Sequence, residues 1–441
     1  MTERTRNPLS FSSLDRRRLD ADFSGGALTS DAGALLLREA DRRLGLIDAL
    51  DRVIPDPRNQ ELISHTQHSL LAQRIFGIAL GYEDLNDHTT LRHDPLWQVL
   101  AEVEPDADKP LASAPTLCRL ENRAARRTLF EMGKVLVEQF IASFTAAPQC
   151  LVLDFDATDD PVRGHQEGRF FHGYYDCYCY LPLYVFCGQQ LLCALLRPSR
   201  IDGARHAAAV LKLLVRRLRR AWPAVRIVFR GDSGFCRQRL MNWCERSDVR
   251  YVIGLARNPR LEEQVTYAQL MLAEDYERSG VKQRWISEFV YAAATWRRER
   301  RVVTRLEWGA QGGNPRFIVT NMDEPPEPLY DHIYCQRGEA ENRIKEAQVG
   351  LFATRTSCHH FAANQLRVLL AAMAYVLIER MRALALRGTE LATAQVDTLR
   401  IRLLKLAAVI TRNTRRIRLY FASNWPSAPI YAQAMRALGG A

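Results

Sequence analysis

Residues 154–161, Asp-Phe-Asp-Ala-Thr-Asp-Asp-Pro, set four aspartates into seven positions directly after the apolar run Leu151-Val152-Leu153. A carboxylate at the end of a buried strand costs several kcal/mol to desolvate unless a cation answers it. Alternation along a strand puts Val152, Asp154 and Asp156 on one face and Leu151, Leu153 and Phe155 on the other. A second acid, Asp232, follows Ile227-Val228-Phe229 and precedes the turn Ser233-Gly234. Ligand sites of α/β sheets gather at the carboxyl ends of strands, so Asp156 and Asp232 are natural candidates to converge, with Mg²⁺ as the hard cation that suits oxygen ligands. Taken singly, an aspartate after a strand more often caps a helix or closes a turn. A third group, Tyr334, Arg337, Glu341 and Lys345, recurs at steps of three, four and four, which places all four on one helix face. Standing alone, such a face is more often a solvated salt-bridge stripe.

The elements that must position these residues change character near Ala146-Ala147-Pro148. Before that boundary the text is helical after a polar arm over residues 1–26. Ser30 or Asp31 can cap a helix that ends at Gly45, a longer helix is expected over 59–81, and one long helix over 116–144 carries Arg119, Arg123, Arg126 and Arg127. After it, strands alternate with helices: a first strand through Asp156, a hairpin over 177–199 turning at Gly188, a helix over 204–222, a strand to Asp232, a helix over 237–246 and a strand from Arg250. The expected fold is a mixed α/β sheet flanked by helices. Pro182 argues against a central position for its own strand. Residues 258–325 interrupt the rhythm with a short helical piece and strand-like runs, expected as an inserted β-rich subdomain. Two helical patterns follow, over 328–350 and 361–386, and then a basic tail with no acid after Asp397.

Composition bounds the function classes. With 47% apolar and 25% charged residues the chain can bury a real core, and its formal charge of +11 suits a polyanionic partner, nucleic acid before membrane. Neither a basic-then-apolar leader nor an uncharged run of spanning length is legible, so the expectation is a soluble, cytoplasmic protein with reduced thiols. The ten cysteines are scattered without a C-x-x-C pair, which leaves little for a zinc site.

Taken together, the acids resemble those of the DDE transposases of bacterial insertion sequences. The matching pieces are Asp156-Ala157-Thr158, Gly231-Asp232, and Tyr334, Arg337 and Glu341 in Tyr-(2)-Arg-(3)-Glu spacing. The wider stretches SGGALTSDAGALLLREADRRLGL, FFHGYYDCYCYLPLYVF and RNTRRIRLYFASNWP resemble the thirteen-eighty group of that class. The resemblance implies a ribonuclease H-like core in which Asp156, Asp232 and Glu341 are catalytic and hold two Mg²⁺ ions, with Mn²⁺ as a substitute, while Tyr334 and Arg337 contact DNA phosphates. One position departs: seven residues after the glutamate, where the family signature has lysine, stands Gln348. Lys345, one turn earlier on the same face, is the alternative DNA contact. Asp154 shares a face with Asp156, and its role as ligand or supporting acid stays open.

The organisation then implied is a helical N-terminal DNA-binding region over 1–146, a first part of the catalytic core over 147–257, the β-rich insertion over 258–325, the core's helical completion over 326–388 and a basic C-terminal region over 389–441. The activity implied is cleavage at terminal inverted repeats and joining of the 3′ ends to target DNA, by a homodimer that pairs two ends at the bacterial nucleoid. Candidates for binding double-stranded DNA are Arg119, Arg123, Arg126 and Arg127, and Arg412, Arg415 and Arg416 with Arg418 in the tail. Solvated helix and strand faces account for the same charges. Trp285, Trp296 and Trp308 could stack on a flipped base or pack in the core. Two other readings remain: a metal-dependent nuclease of the same core that cuts without joining, and a DNA-binding protein descended from a transposase.

Overall fold

The computed structural model describes residues 9–106 and 108–439. They fall into two compact units: residues 1–121 with 380–441, and residues 122–379. The boundary expected near residue 146 therefore lies earlier, and both ends of the chain contribute to one unit. The single helix expected over 116–144 is two helices, Ala114–Asn122 and Arg126–Ala142, the second opening after an extended Ala125. No glycine or proline marks that break; it falls where the chain passes from one unit to the other.

The first unit holds the helices Leu35–Leu44, Leu46–Val53, Gln67–Leu80 and Pro95–Leu100. The helix expected over 59–81 begins only at Gln67, where the Thr66 side chain accepts from the Ser69 N–H at 3.1 Å. Of the arm expected over residues 1–26, the first eight residues lie outside the described residues. The next stretch is an exposed hairpin, Leu9–Leu14 with Arg17–Ala21. The basic tail is a strand pair, Ala408–Asn413 with Arg416–Phe421, that adds Leu28–Thr29 on its other edge. Asp31 stands at the N-cap position of the short turn Ala32–Ala34 that leads into Leu35–Leu44, but its side chain makes no cap hydrogen bond. It is buried, accepts from Tyr82 Oη at 3.0 Å and Trp97 Nε1 at 3.2 Å, and is neutralised by Lys405 at 2.7 Å.

The second unit begins with α1 (Arg126–Ala142) and β1 (Cys150–Ala157). A small sheet follows, formed by β2 (Asp160–Pro161), β3 (Phe170–His172) and β4 (Cys177–Tyr180) in the order β2-β4-β3. Next come β5 (Leu183–Cys187), β6 (Gln190–Leu195), α2 (Ala207–Ala221), β7 (Arg226–Gly231), α3 (Gln238–Arg246) and β8 (Arg250–Leu255). After α4 (Pro259–Ser279) come β9 (Gln283–Tyr291), β10 (Arg300–Gly309) and β11 (Arg316–Thr320). The nine-stranded main sheet runs β9-β10-β11-β8-β7-β1-β5-β6, with the short strand Gly312–Gly313 on β10.

Its first five strands stand in the order β6-β5-β1-β7-β8, an antiparallel meander followed by two parallel crossovers, which is the ribonuclease H arrangement. Pro182 separates β4 from β5, so the hairpin expected over 177–199 is divided between two sheets and only β5 and β6 turn at Gly188. The insertion is not a separate subdomain: β9, β10 and β11 prolong the main sheet through the β8–β11 pairing, and its helical piece is the 21-residue α4.

Alternation divides the sheet's two faces. Leu151, Leu153 and Phe155 of β1, Ile227 and Phe229 of β7, and Tyr251 and Ile253 of β8 pack with α1, α2, α3 and α4. On the opposite face Val228, Val252, Val303 and Ile318 meet Leu329 and Tyr330 of a helical run over 326–350, whose centre is α5 (Gly338–Lys345). Asp154 and Asp156 point to this second face. The helix α6 (Phe361–Ala385) is long and apolar enough to cross a bilayer, but its apolar stretch is almost wholly buried in the protein.

The first unit carries a titratable lever. His88 is fully buried beside Gln73 and Arg74, and burial followed by the Arg74 charge pushes its imidazole down to about 3. An unfolded histidine takes its proton near 6.5. The stability contributed by neutral His88 is therefore complete above pH 6.5 and is lost as pH falls toward 3, at up to about 1.4 kcal/mol per pH unit. Asp41, raised to about 6 by burial, acts in the opposite sense between about pH 6 and 4. Urea denaturation of wild type and His88→Gln across pH 7 to 4 isolates the histidine: the wild-type acid slope should be steeper by close to one proton.

Candidate active site

The site is built where β1 and β7 end. These strands are parallel neighbours, with Arg230 opposite Asp154 and Gly231 opposite Phe155, so Asp156 and Asp232 leave the same sheet edge side by side. Asp232 also performs the turn role expected of an aspartate there, accepting from the Gly234 N–H at 2.9 Å, while Asp156 accepts from the Ala157 N–H at 2.9 Å. The third acid comes from α5. Glu341 pairs with Arg337 at 2.5 Å, and the same guanidinium lies 3.6 Å from Asp156. The Asp156 carboxyl is pushed up to about 7, chiefly by burial; Arg337 opposes this, and the charges of Asp232 and Glu341 add to it. Three carboxylates are thus gathered in a partly desolvated place with one guanidinium among them.

This donor set fits a divalent cation in its chemistry, since its oxygens are hard and Asp156 is short of positive charge. It is not a preformed cage: among the described residues no three His, Cys, Asp or Glu side chains stand at metal-ligating distances. Arg337 lies where it bridges two of the three acids.

Tyr334 belongs to the same locality. Its phenol is raised by burial and sits between the charges of Arg337 and Asp232. Its hydroxyl also lies over Gly254 of β8, where an added Cβ would stand 2.7 Å from Tyr334 Oη and 2.8 Å from the Ser233 N. Gly254, unremarked in the sequence, therefore makes room for both Tyr334 and the Asp232 turn. Lys345 is exposed, and Gln348 donates to the Asp159 carbonyl at 2.9 Å, tying the helical run to the loop that follows β1.

Asp154 has its own partner. It forms a bidentate ion pair with Arg230, one contact at 2.7 Å, and both are almost fully buried. Arg230 further donates to the Ile333 carbonyl, so this pair fixes the helical run that carries Tyr334, Arg337 and Glu341. The signal for Arg230 was present in the sequence as a lone charge closing the apolar run Ile227-Val228-Phe229.

The remaining candidates lie apart from this site. Arg119 is exposed in the first unit, whereas Arg126 and Arg127 open α1 in the second, so the expected single cluster is divided by the helix break. Arg123 lies in that break. Arg412, Arg415, Arg416 and Arg418 are all exposed on the strand pair of the first unit. Trp296 and Trp308 pack against the core of the second unit, and Trp285 is half exposed.

The sheet thus stands in the ribonuclease H order, with acids at the ends of two parallel central strands and a third on a covering helix. The chain belongs to the family described as Transposase DDE domain group 1, whose model matches residues 11–440. No curated protein matches the sequence significantly. Among solved structures the chain is similar to a piggyBac transposase in a synaptic complex with hairpin DNA, at 10% identity and a TM-score of 0.41, over 85% of this chain and 80% of that one.

Removing one partner of a buried ion pair leaves an uncompensated charge and costs about 3–5 kcal/mol. Arg230→Leu should therefore lower the unfolding free energy of the second unit by that amount. Asp154→Leu/Arg230→Leu should recover most of the loss. A double-mutant cycle in urea checks both values.

Proposed function

We propose that the protein is an insertion-sequence transposase of the thirteen-eighty group, cutting DNA at terminal inverted repeats and joining the freed 3′ ends to target DNA. The observation that carries this reading is the Arg337 bridge between Asp156 and Glu341 beside the end of β7, in a chain whose family match runs nearly end to end. Asp156, Asp232 and Glu341 would hold two divalent ions, Mg²⁺ or Mn²⁺. When bound, these would supply activation of the attacking water and stabilisation of the leaving 3′-oxygen.

The chain's own residues do the rest. Arg337 bridges two of these carboxylates, and its forked, permanently charged head is of the kind that suits a bidentate phosphate contact. Tyr334, held over Gly254, offers its hydroxyl as a hydrogen-bond donor to the same backbone. Asp154 stays with Arg230 and acts by holding the helical run in register, not as a ligand. Cleavage by water yields a free 3′-hydroxyl, which can in turn attack a target phosphodiester in the same site, so no covalent enzyme intermediate is needed. The exposed arginines at 412, 415, 416 and 418 supply sequence-independent phosphate contacts, and two copies of the chain pair the two ends.

Asp232→Ala should abolish Mg²⁺-dependent cleavage of a duplex carrying the element's inverted repeat and leave its gel shift within about twofold, because phosphate contacts dominate binding. Equal loss of cleavage and binding would contradict the assignment. A tagged target included in the wild-type reaction should become covalently joined to the donor 3′ end; cutting without joining would reduce the protein to a nuclease.

A further inference from the structure

Three exposed aromatic residues of the second unit share the hairpin β3–β4, while Phe130, Tyr267 and Trp285 stand singly elsewhere. Phe171, Tyr174 and Tyr178 are 54%, 86% and 50% exposed. Rings of this size gain most from burial and are seldom left in water together without a use. Phe171 and Tyr178 are cross-strand partners, so they share a face, with ring centroids 5.7 Å apart. The Arg169 guanidinium lies 4.5 Å from the Tyr178 ring centre and contacts His165 Nδ1 at 2.9 Å, while Arg200 lies 4.4 Å from the Phe170 ring centre. Tyr174 projects from the turn, edge-on to Tyr175, which in turn leans on His172.

The scaffold beneath these rings is constrained. The Tyr175 and Asp176 N–H groups both donate to the His172 carbonyl, at 3.1 and 2.9 Å, and Asp176 adopts a left-handed backbone. Ser199 Oγ donates to the Phe170 carbonyl at 2.8 Å. At the base, Tyr180 pairs with Asp160, only four residues beyond Asp156. The hairpin therefore stands beside the carboxylates, close enough for the charges of Asp159, Asp156 and Asp232 to bear on the Tyr175 hydroxyl.

Stacked arginine and aromatic faces suit one kind of occupant in particular. Nucleobases stack on aromatic rings whatever their identity, and guanidinium groups beside them take the intervening phosphates. A paired duplex hides its base faces, so only an unpaired stretch can use these rings. A strand end freed by cutting is held by fewer stacking neighbours, and its fraying exposes such a stretch. Glu167 and Asp176 stand exposed nearby and offset the charge of the arginines, so stacking carries most of the affinity.

We propose that the β3–β4 hairpin is a stacking platform for unpaired DNA bases next to the cleavage site, with Phe171, Tyr174 and Tyr178 receiving base faces and Arg169 and Arg200 the flanking phosphates. This rests on the reading of the protein as an enzyme acting on DNA.

The test uses the full chain in EDTA, where no cutting takes place, with a single-stranded oligonucleotide containing 2-aminopurine and the same sequence as a duplex. Wild type should shift the 2-aminopurine fluorescence of the single strand on binding. Tyr174→Ala/Tyr178→Ala should weaken single-strand binding by roughly 5- to 150-fold for each stacked base lost and leave duplex binding within about twofold. Tyr174→Phe/Tyr178→Phe, which keeps the rings, should bind as wild type does. Equal weakening for both DNAs, a phenylalanine variant as weak as the alanine one, or a wild-type complex with no fluorescence change would overturn the platform. Cleavage is read separately: if Asp232→Ala cuts normally while this selectivity holds, the catalytic reading falls and the platform stands.

Discussion

Carboxylates crowded at the edge of a buried sheet repel one another, and the site's organisation follows from how that repulsion is answered. The parallel pairing of β1 and β7 forces Asp156 and Asp232 into adjacency whether or not a counter-charge is at hand. Arg337 supplies one positive charge and reaches two of the acids. The Asp156 carboxyl nevertheless stays well above the ordinary carboxylate range, chiefly because it is buried, with the charges of Asp232 and Glu341 adding to the rise. A further cation placed there would relieve both the desolvation and the mutual repulsion of these acids.

Two buried charge pairs with different duties share this face. Asp154 with Arg230 is closed and satisfied, anchors the Ile333 carbonyl, and reads as structure. Asp156 with Arg337 is longer, partly open to solvent and shared with Glu341, and reads as exchangeable. Two residues of sequence separate these roles. Alternation on β1 gives both aspartates the same face, and position along the strand alone decides which meets a dedicated arginine.

Much of this was legible in the sequence because it depends on short-range pattern. The apolar runs ending in Asp156 and Asp232 specify strands, and the spacing of Arg337 and Glu341 one helical turn apart specifies their pairing. What escaped was decided by tertiary context. Residues 258–325 read as an inserted subdomain because alternation says nothing about which sheet a strand joins; the pairing of their strands with β8 and with one another makes them part of the main one. The break at residues 123–125 carries no breaker residue and reflects the passage between folded units. Gly254 was invisible because its importance lies in the space it leaves for the side chain of Tyr334, 80 positions away.

The first unit is assembled from both ends of the chain. Leu28–Thr29 pairs with Ala408–Asn413, and the buried carboxylate of Asp31 finds its cation only at Lys405. During synthesis the main sheet leaves the ribosome complete while the N-terminal helices still lack that lysine and that strand. A product terminated before Lys405 would carry an assembled acid site together with an unfinished companion unit, so the order of translation itself withholds the first unit until that lysine and strand are made.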